Sequence, residues 1–169
     1  YRIRVTANML IRHFSNDYYS FHSRAFGAGL SVSNETGIAG SVHIELARHL
    51  FVSAGADIFY YPWLRYRSSG PSTGGRLELR CEYTPEDDLS LRLSFSTSDR
   101  EFDIQDTGVA STAREKKDLV NVRFAYSPAD FLHMTSRGSY CRISQTSDRG
   151  YLLSQDIMLS FSHLPVKVW

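Results

Sequence analysis

Residues 76 to 96, RLELRCEYTPEDDLSLRLSFS, alternate apolar and polar side chains through two consecutive arms. Leu77, Leu79, Cys81 and Tyr83 share one face with Leu89, Leu91, Leu93 and Phe95. Arg76, Glu78, Arg80, Glu82, Ser90, Arg92, Ser94 and Ser96 share the other. Successive side chains of a strand point to opposite sides, so a period of two sustained this long predicts a β-hairpin with one apolar face.

The same period recurs along nearly the whole chain. Runs begin with Ile3, Val5, Ala7, Met9 and Ile11 and continue, less cleanly, at about residues 19 to 32. Others hold Ile38, Val42, Ile44 and Leu46, then Val52, Ala54, Ala56, Ile58 and Tyr60. After the hairpin come Val120, Val122, Phe124 and Tyr126, then Leu132, Met134 and Tyr140, then Leu153, Ile157, Leu159 and Phe161. The pattern predicts an all-β, antiparallel up-and-down meander of about nine strands and no helix. With 169 residues, the chain is expected to be a single unit, 1–169.

The connections separate into two kinds. Tyr83-Thr-Pro-Glu-Asp-Asp-Leu89 and Tyr126-Ser-Pro-Ala-Asp-Phe-Leu132 both read Tyr-(Ser/Thr)-Pro-x-Asp-x-Leu. Each leaves five residues between apolar positions, as do Leu46 and Val52. An odd loop keeps the apolar face continuous, setting Tyr83 opposite Leu89 and Arg80 opposite Arg92, with Pro at the second turn position. The alternate links, including RSSGPSTGG and the polar stretch from Thr97 to Lys117, are longer. Alternate links of a meander lie at one end of the sheet, so one end is expected to carry tight turns and the other long polar loops. Outer-membrane barrels have that layout.

Strands of about eight to eleven residues reach roughly 26 to 36 Å, enough to cross a ~25 Å apolar band at a tilt. Tyr60, Tyr61, Trp63, Tyr83 and Tyr126 lie near strand ends, where rings with a polar edge suit a lipid–water boundary. The rival reading has them closing the ends of a soluble barrel core. If the apolar face meets lipid, Arg76, Glu78, Arg80, Glu82 and Arg92 form a charged ladder on a wet interior. Charge pairing that makes this interior tolerable is favoured over a selective pore.

Composition narrows the alternatives. No run of 18 apolar residues could form a spanning helix, which leaves barrels open. A formal charge of +1 gives no bulk attraction to nucleic acid. Cys81 and Cys141 lie in alternating runs, outside any zinc or redox motif, and read as small apolar side chains rather than a disulfide. The six histidines form no HExxH spacing, and no G-x-S-x-G elbow or phosphate loop occurs. Glu86, Asp87 and Asp88 read as solvated turn carboxylates, and Asp99, Glu101, Asp103 and Asp106 as loop carboxylates. His133 near Ser136 could form a pair. No catalytic, cofactor-binding or metal residue is assigned, and no enzyme activity is expected; a rim-active hydrolase is the weakest alternative.

The stretches YYPWLRYRSSGPSTGGRLELRCEYTP, FAYSPADFLHMTSRGSY and GYLLSQDIMLSF resemble the C-terminal β-barrel region of Bacteroidota outer-membrane proteins that begin with helix-hairpin-helix repeats, the competence-protein-like group. The resemblance runs from about residue 51 onward. It implies an outer-membrane location in a Gram-negative bacterium, with the bilayer as partner. The DNA-contacting repeats of that group have no counterpart here, so no nucleic-acid contact is expected through this segment. An odd strand count and the short final run from Val166 to Trp169 predict a barrel segment incomplete at both ends, completed by further strands of the same protein or a partner chain. It would serve as membrane anchor or passage. The rival expectation is a periplasmic or secreted lipocalin-like or sandwich domain holding an apolar ligand inside.

Overall fold

The computed structural model describes residues 3–18, 28, 33–64, 68–106, 109–160 and 167–168. They form one antiparallel sheet in sequence order, with no helix among them. The strands are β1 (Arg4–Phe14), β2 (Glu35–Ala47), β3 (Leu50–Tyr61), β4 (Ser72–Glu86), β5 (Leu89–Asp106), β6 (Val109–Ala129), β7 (Leu132–Ile143) and β8 (Arg149–Ser160). A two-residue β9 (Lys167–Val168) adds to the edge of β8. β1 pairs directly with β2, and the run expected at 19 to 32 lies, apart from residue 28, outside the described residues. Among the described residues β1 and β8 do not pair with each other, so the sheet is open.

The tight turns are shorter than five residues, and their prolines do other work. Ala47 pairs with Leu50, Glu86 with Leu89 and Ala129 with Leu132, leaving two-residue turns at 48–49, 87–88 and 130–131. Just before each turn the first strand carries one extra residue. In two of the three, Thr84-Pro85 faces Ser90 and Ser127-Pro128 faces His133. Proline has no N–H to give to a ladder, and a bulge is where a sheet tolerates that loss. His49 takes φ of 67° in the first turn, while the other two turns need no positive φ.

The bulge moves the register by two residues relative to the expected five-residue loops. Tyr83 faces Leu91 rather than Leu89, and Arg92 faces Glu82 rather than Arg80. Because the shift is even, every side chain keeps its expected face. Each turn is then stitched to the following hairpin. The amides of Thr84, Ser127 and Ser160 donate to the carbonyls of His49 (2.9 Å), Asp88 (2.8 Å) and Phe131 (2.9 Å).

At the opposite end, the polar stretch from Thr97 to Lys117 is mostly strand rather than loop. β5 and β6 run for 18 and 21 residues and pair with each other as far as Asp106 and Val109. β4 accompanies β5 only to Arg100, and β7 accompanies β6 only from Lys117. The outer part of this hairpin therefore stands beyond the body of the sheet. Asp99 and Glu101 receive Arg114 there at 3.4 and 3.3 Å.

Burial is inverted relative to a water-soluble sheet. Leu77, Leu79, Leu91 and Leu93 are 40 to 47 % exposed, and Ile38, Val42, Ile58, Val122, Phe124 and Ile157 are exposed on the same face. The buried side chains Arg12, Glu35, Phe59, Tyr61, Ala125 and Thr135 all lie on the other face. Among the described residues, side chains crowd together on the polar face and stand open on the apolar one.

Candidate functional site

The polar face is ordered by rungs, the rows of residues that meet across successive strands. Near the long-loop end one rung reads Arg12, Gly37, Phe59, Gly74 and Arg100 from β1 to β5. Large and absent side chains alternate along it. A Cβ on Gly37 would lie 2.7 Å from the Arg12 guanidinium carbon, and one on Gly74 would enter the Phe59 ring and approach the Asp99 carbonyl to 2.9 Å. The glycines thus leave room for Arg12 and Phe59 to lie flat across the neighbouring backbone. Arg100 stands 5.7 Å from the Phe59 ring centre, within cation–π range.

This rung anchors a buried charge cluster. The Arg12 and Glu35 side chains are 3 % and 0 % exposed and form an ion pair through Arg12 Nε. Arg12 reaches Asp57 with its other nitrogens, Nη1 at 2.8 Å from Oδ1 and Nη2 donating to Oδ2 at 3.1 Å. Glu35 accepts further bonds from the Tyr61 hydroxyl at 3.1 Å and from the Ala28 amide at 3.0 Å. Arg100 donates to the Ala28 carbonyl at 2.8 Å. Beside it Asn34, at φ 54°, pairs through its side-chain amide with both backbone groups of Trp63. The Arg12, Glu35 and Asp57 charges are ion-paired, the condition under which burial is tolerated, while the buried Asp57 Oδ1 accepts no hydrogen bond.

Tyr61 is the correction to the expected boundary aromatics. It is 3 % exposed, on the polar face with Asp57 and Phe59, because it differs by one position from Tyr60. Tyr60, Trp63, Tyr83 and Tyr126 are exposed, Trp63 beyond the end of β3.

The expected ladder residues Arg76, Glu78, Arg80, Glu82 and Arg92 share one face, but only one pair closes. Arg92 grips Glu82 with Nη2 at 2.8 Å and Nε at 3.2 Å. Arg76 faces Asp57 and Ser98, Glu78 faces Gly55 and Ser96, and Arg80 faces Ser53 and Ser94; these three form no ion pair among the described residues. Between them runs an open groove of about 320 Å³, lined by Ser41, His43, Ser53, Glu78, Arg80 and Asn121 among others.

The corrected register exposes a second rung nearer the tight turns. Glu82, Arg92, Arg123 and Arg137 follow one another across β4 to β7. Arg137 reaches Asp156 at 3.1 Å, while Arg123 makes no ion pair among the described residues. The rungs on either side of the arginines are Ser94, Asn121 and Ser139, and Ser90, Ala125 and Thr135. None of these six residues carries a carboxylate; the second rung continues from Thr135 to Asp156 on β8. Ser139 donates to Asn121 at 2.7 Å, and Asn121 lies at 3.5 Å from Ser94.

Other candidate chemistry resolves into structure. His133 meets Ser127 rather than Ser136, with Nδ1 at 2.5 Å from the hydroxyl and Nε2 at 3.5 Å from Thr135. No described carboxylate contacts that imidazole; the pair fills the proline bulge. Ser136 lies on the opposite face and donates to Gln155. Glu101 accepts from the Thr73 amide and hydroxyl, and Asp103 from the Ser69 amide. Among the described residues no group of three His, Cys, Asp or Glu side chains could hold a metal ion. Cys81 and Cys141 are free thiols on opposite faces of the sheet.

Compared with known proteins, the chain matches no family model, no curated protein and no solved structure.

Proposed function

We propose that the chain is a segment of a bacterial outer-membrane β-barrel, acting as membrane anchor or passage, with its apolar face toward lipid and its polar face toward a wet interior. The observation that carries this reading is the inverted burial: exposed Leu, Ile, Val and Phe on one side, buried Arg12 and Glu35 on the other. A lipocalin-like domain would turn its apolar side chains toward the crowded side. Further support comes from the tight turns at one end and the projecting charged hairpin at the other, the asymmetry of outer-membrane barrels. The edge of β1, and the length of β8 that β9 leaves uncovered, suit completion by further strands, since an uncovered edge invites pairing. The resemblance to the barrel region of helix-hairpin-helix proteins of Bacteroidota agrees with this reading.

Adjacent residues of β5 supply the test. Nitroxide labels placed singly at Leu93 and Ser94, after Cys81 and Cys141 are replaced by Ser, should report opposite surroundings in reconstituted vesicles. Oxygen should relax the label at 93, and a water-soluble nickel chelate the label at 94. The reverse pattern, or equal access of the nickel chelate to both, refutes lipid contact.

A further inference from the structure

The arginine rung has a consequence beyond anchoring. Arg92, Arg123 and Arg137 come from three adjacent strands and meet in register, so their Cβ atoms are about 5 Å apart. Like charges directly opposed destabilise a sheet, and three in a row do so twice. The outer two are each neutralised from outside, Arg92 by Glu82 and Arg137 by Asp156. The central Arg123 is exposed and forms no ion pair among the described residues, feeling the Glu82 carboxylate only at longer range. On β5 to β7 the flanking rungs offer only neutral hydroxyl and amide groups and one methyl; beyond Thr135 the second rung reaches Asp156 on β8, the carboxylate that Arg137 holds. Each guanidinium carries five N–H donors. Arg92 directs two of its nitrogens to Glu82, and Arg137 one to Asp156, so donors remain on both.

We propose that this rung is a binding site for a small phosphate-bearing solute, with Arg123 at its centre and Arg92 and Arg137 as flanking donors. The planar fork of arginine matches the geometry of a phosphate, and several forks converging from neighbouring strands match its several oxygens. If the polar face lines a barrel interior, as proposed above, the same row biases that interior toward anions. The binding site itself requires only the sheet.

The full chain, held in neutral maltoside micelles and labelled with ¹⁵N, should be titrated with inorganic phosphate at constant ionic strength set by chloride. Saturable shifts of the arginine Nε–H signals, led by Arg123, are expected. Arg123→Gln should raise the apparent Kd by about tenfold, the scale of one charge-assisted hydrogen bond. Arg123→Lys, which keeps the charge and loses the fork, should fall between. Arg76→Gln, which removes a positive charge from the same face away from the rung, should leave the Kd unchanged. Non-saturating shifts overturn the site, as does equal weakening by Arg76→Gln. A response to short-chain phosphatidylglycerol without one to phosphate also overturns it, in favour of lipid. Lipid contact is judged separately by the labels at 93 and 94, so loss of phosphate binding with that contact intact removes the site and leaves the membrane reading standing.

Discussion

Two rungs of the same polar face handle charge in opposite ways. Near the long loops, Arg12 is sunk between Glu35 and Asp57 and laid across a glycine. Near the tight turns, Arg123 stands between two other arginines and is exposed. The first is closed: its buried charges are ion-paired and its space is filled by alternating large residues and glycines. The second is open, with like charges side by side and small neutral residues around them. A face whose charges existed only to be neutralised would resemble the first throughout. The contrast marks the first as scaffold and the second as available for binding.

Mutations should separate them sharply. Glu35→Ala leaves Arg12 buried with half its partners and should destabilise the fold by about 3–5 kcal/mol, measured by urea unfolding in micelles. A loss below about 1 kcal/mol, the range of an exposed pair, would break the distinction. Gly74→Val should remove about 1–3 kcal/mol by driving the new side chain into Phe59. Arg123→Ala, by contrast, should change stability by no more than about 0.5 kcal/mol and relieve repulsion from Arg92 and Arg137. A large loss there would mean that the open rung is structural after all.

The smallest effect concerns the projecting hairpin. Donation from the Thr73 amide and hydroxyl holds the Glu101 carboxyl below its ordinary value. A depressed folded value stabilises above the unfolded one and ceases to do so as pH falls through the folded one. Acidification below the ordinary glutamate range should therefore loosen the contact between the start of β4 and β5. Faster amide exchange at Thr73, abolished as a pH effect by Glu101→Gln, is the expected signature.

The faces of the sheet were legible because period two survives any even change of register. The rungs were not. A five-residue loop and a two-residue turn with a bulge preserve the same parity, yet they place Arg92 opposite different residues. The arginine row becomes visible only once those bulges are known, since its members lie 31 and 14 positions apart in sequence. Glu35 gave no signal of its own, standing next to Asn34 in a turn-like stretch. Its importance depends on Arg12, Asp57 and Tyr61, drawn from two other strands. Tyr61 was readable: parity with Asp57 and Phe59 assigns it to the polar face, although its aromatic type suggested the boundary. The charged stretch after Thr97 looked like loop because one face of the outer hairpin is charged and the other sets Phe102 and Ile104 beside Ser98 and Arg100, which breaks the alternation.

The stitched turns also set an angle. Leu50 meets Tyr83 and, through it, Leu91, whereas the next turn closes at Leu89, two residues further along the same strand. From Leu89 the rung leads through Tyr126 to Met134, and the following turn closes at Leu132, again two residues on. Each hairpin is thus displaced from the last by about 6.6 Å along the strands for about 9.6 Å across them. Turns arrayed at one level, as a flat boundary would require, oblige the strands to lean by roughly 35°, within the range at which sheets curl into cylinders.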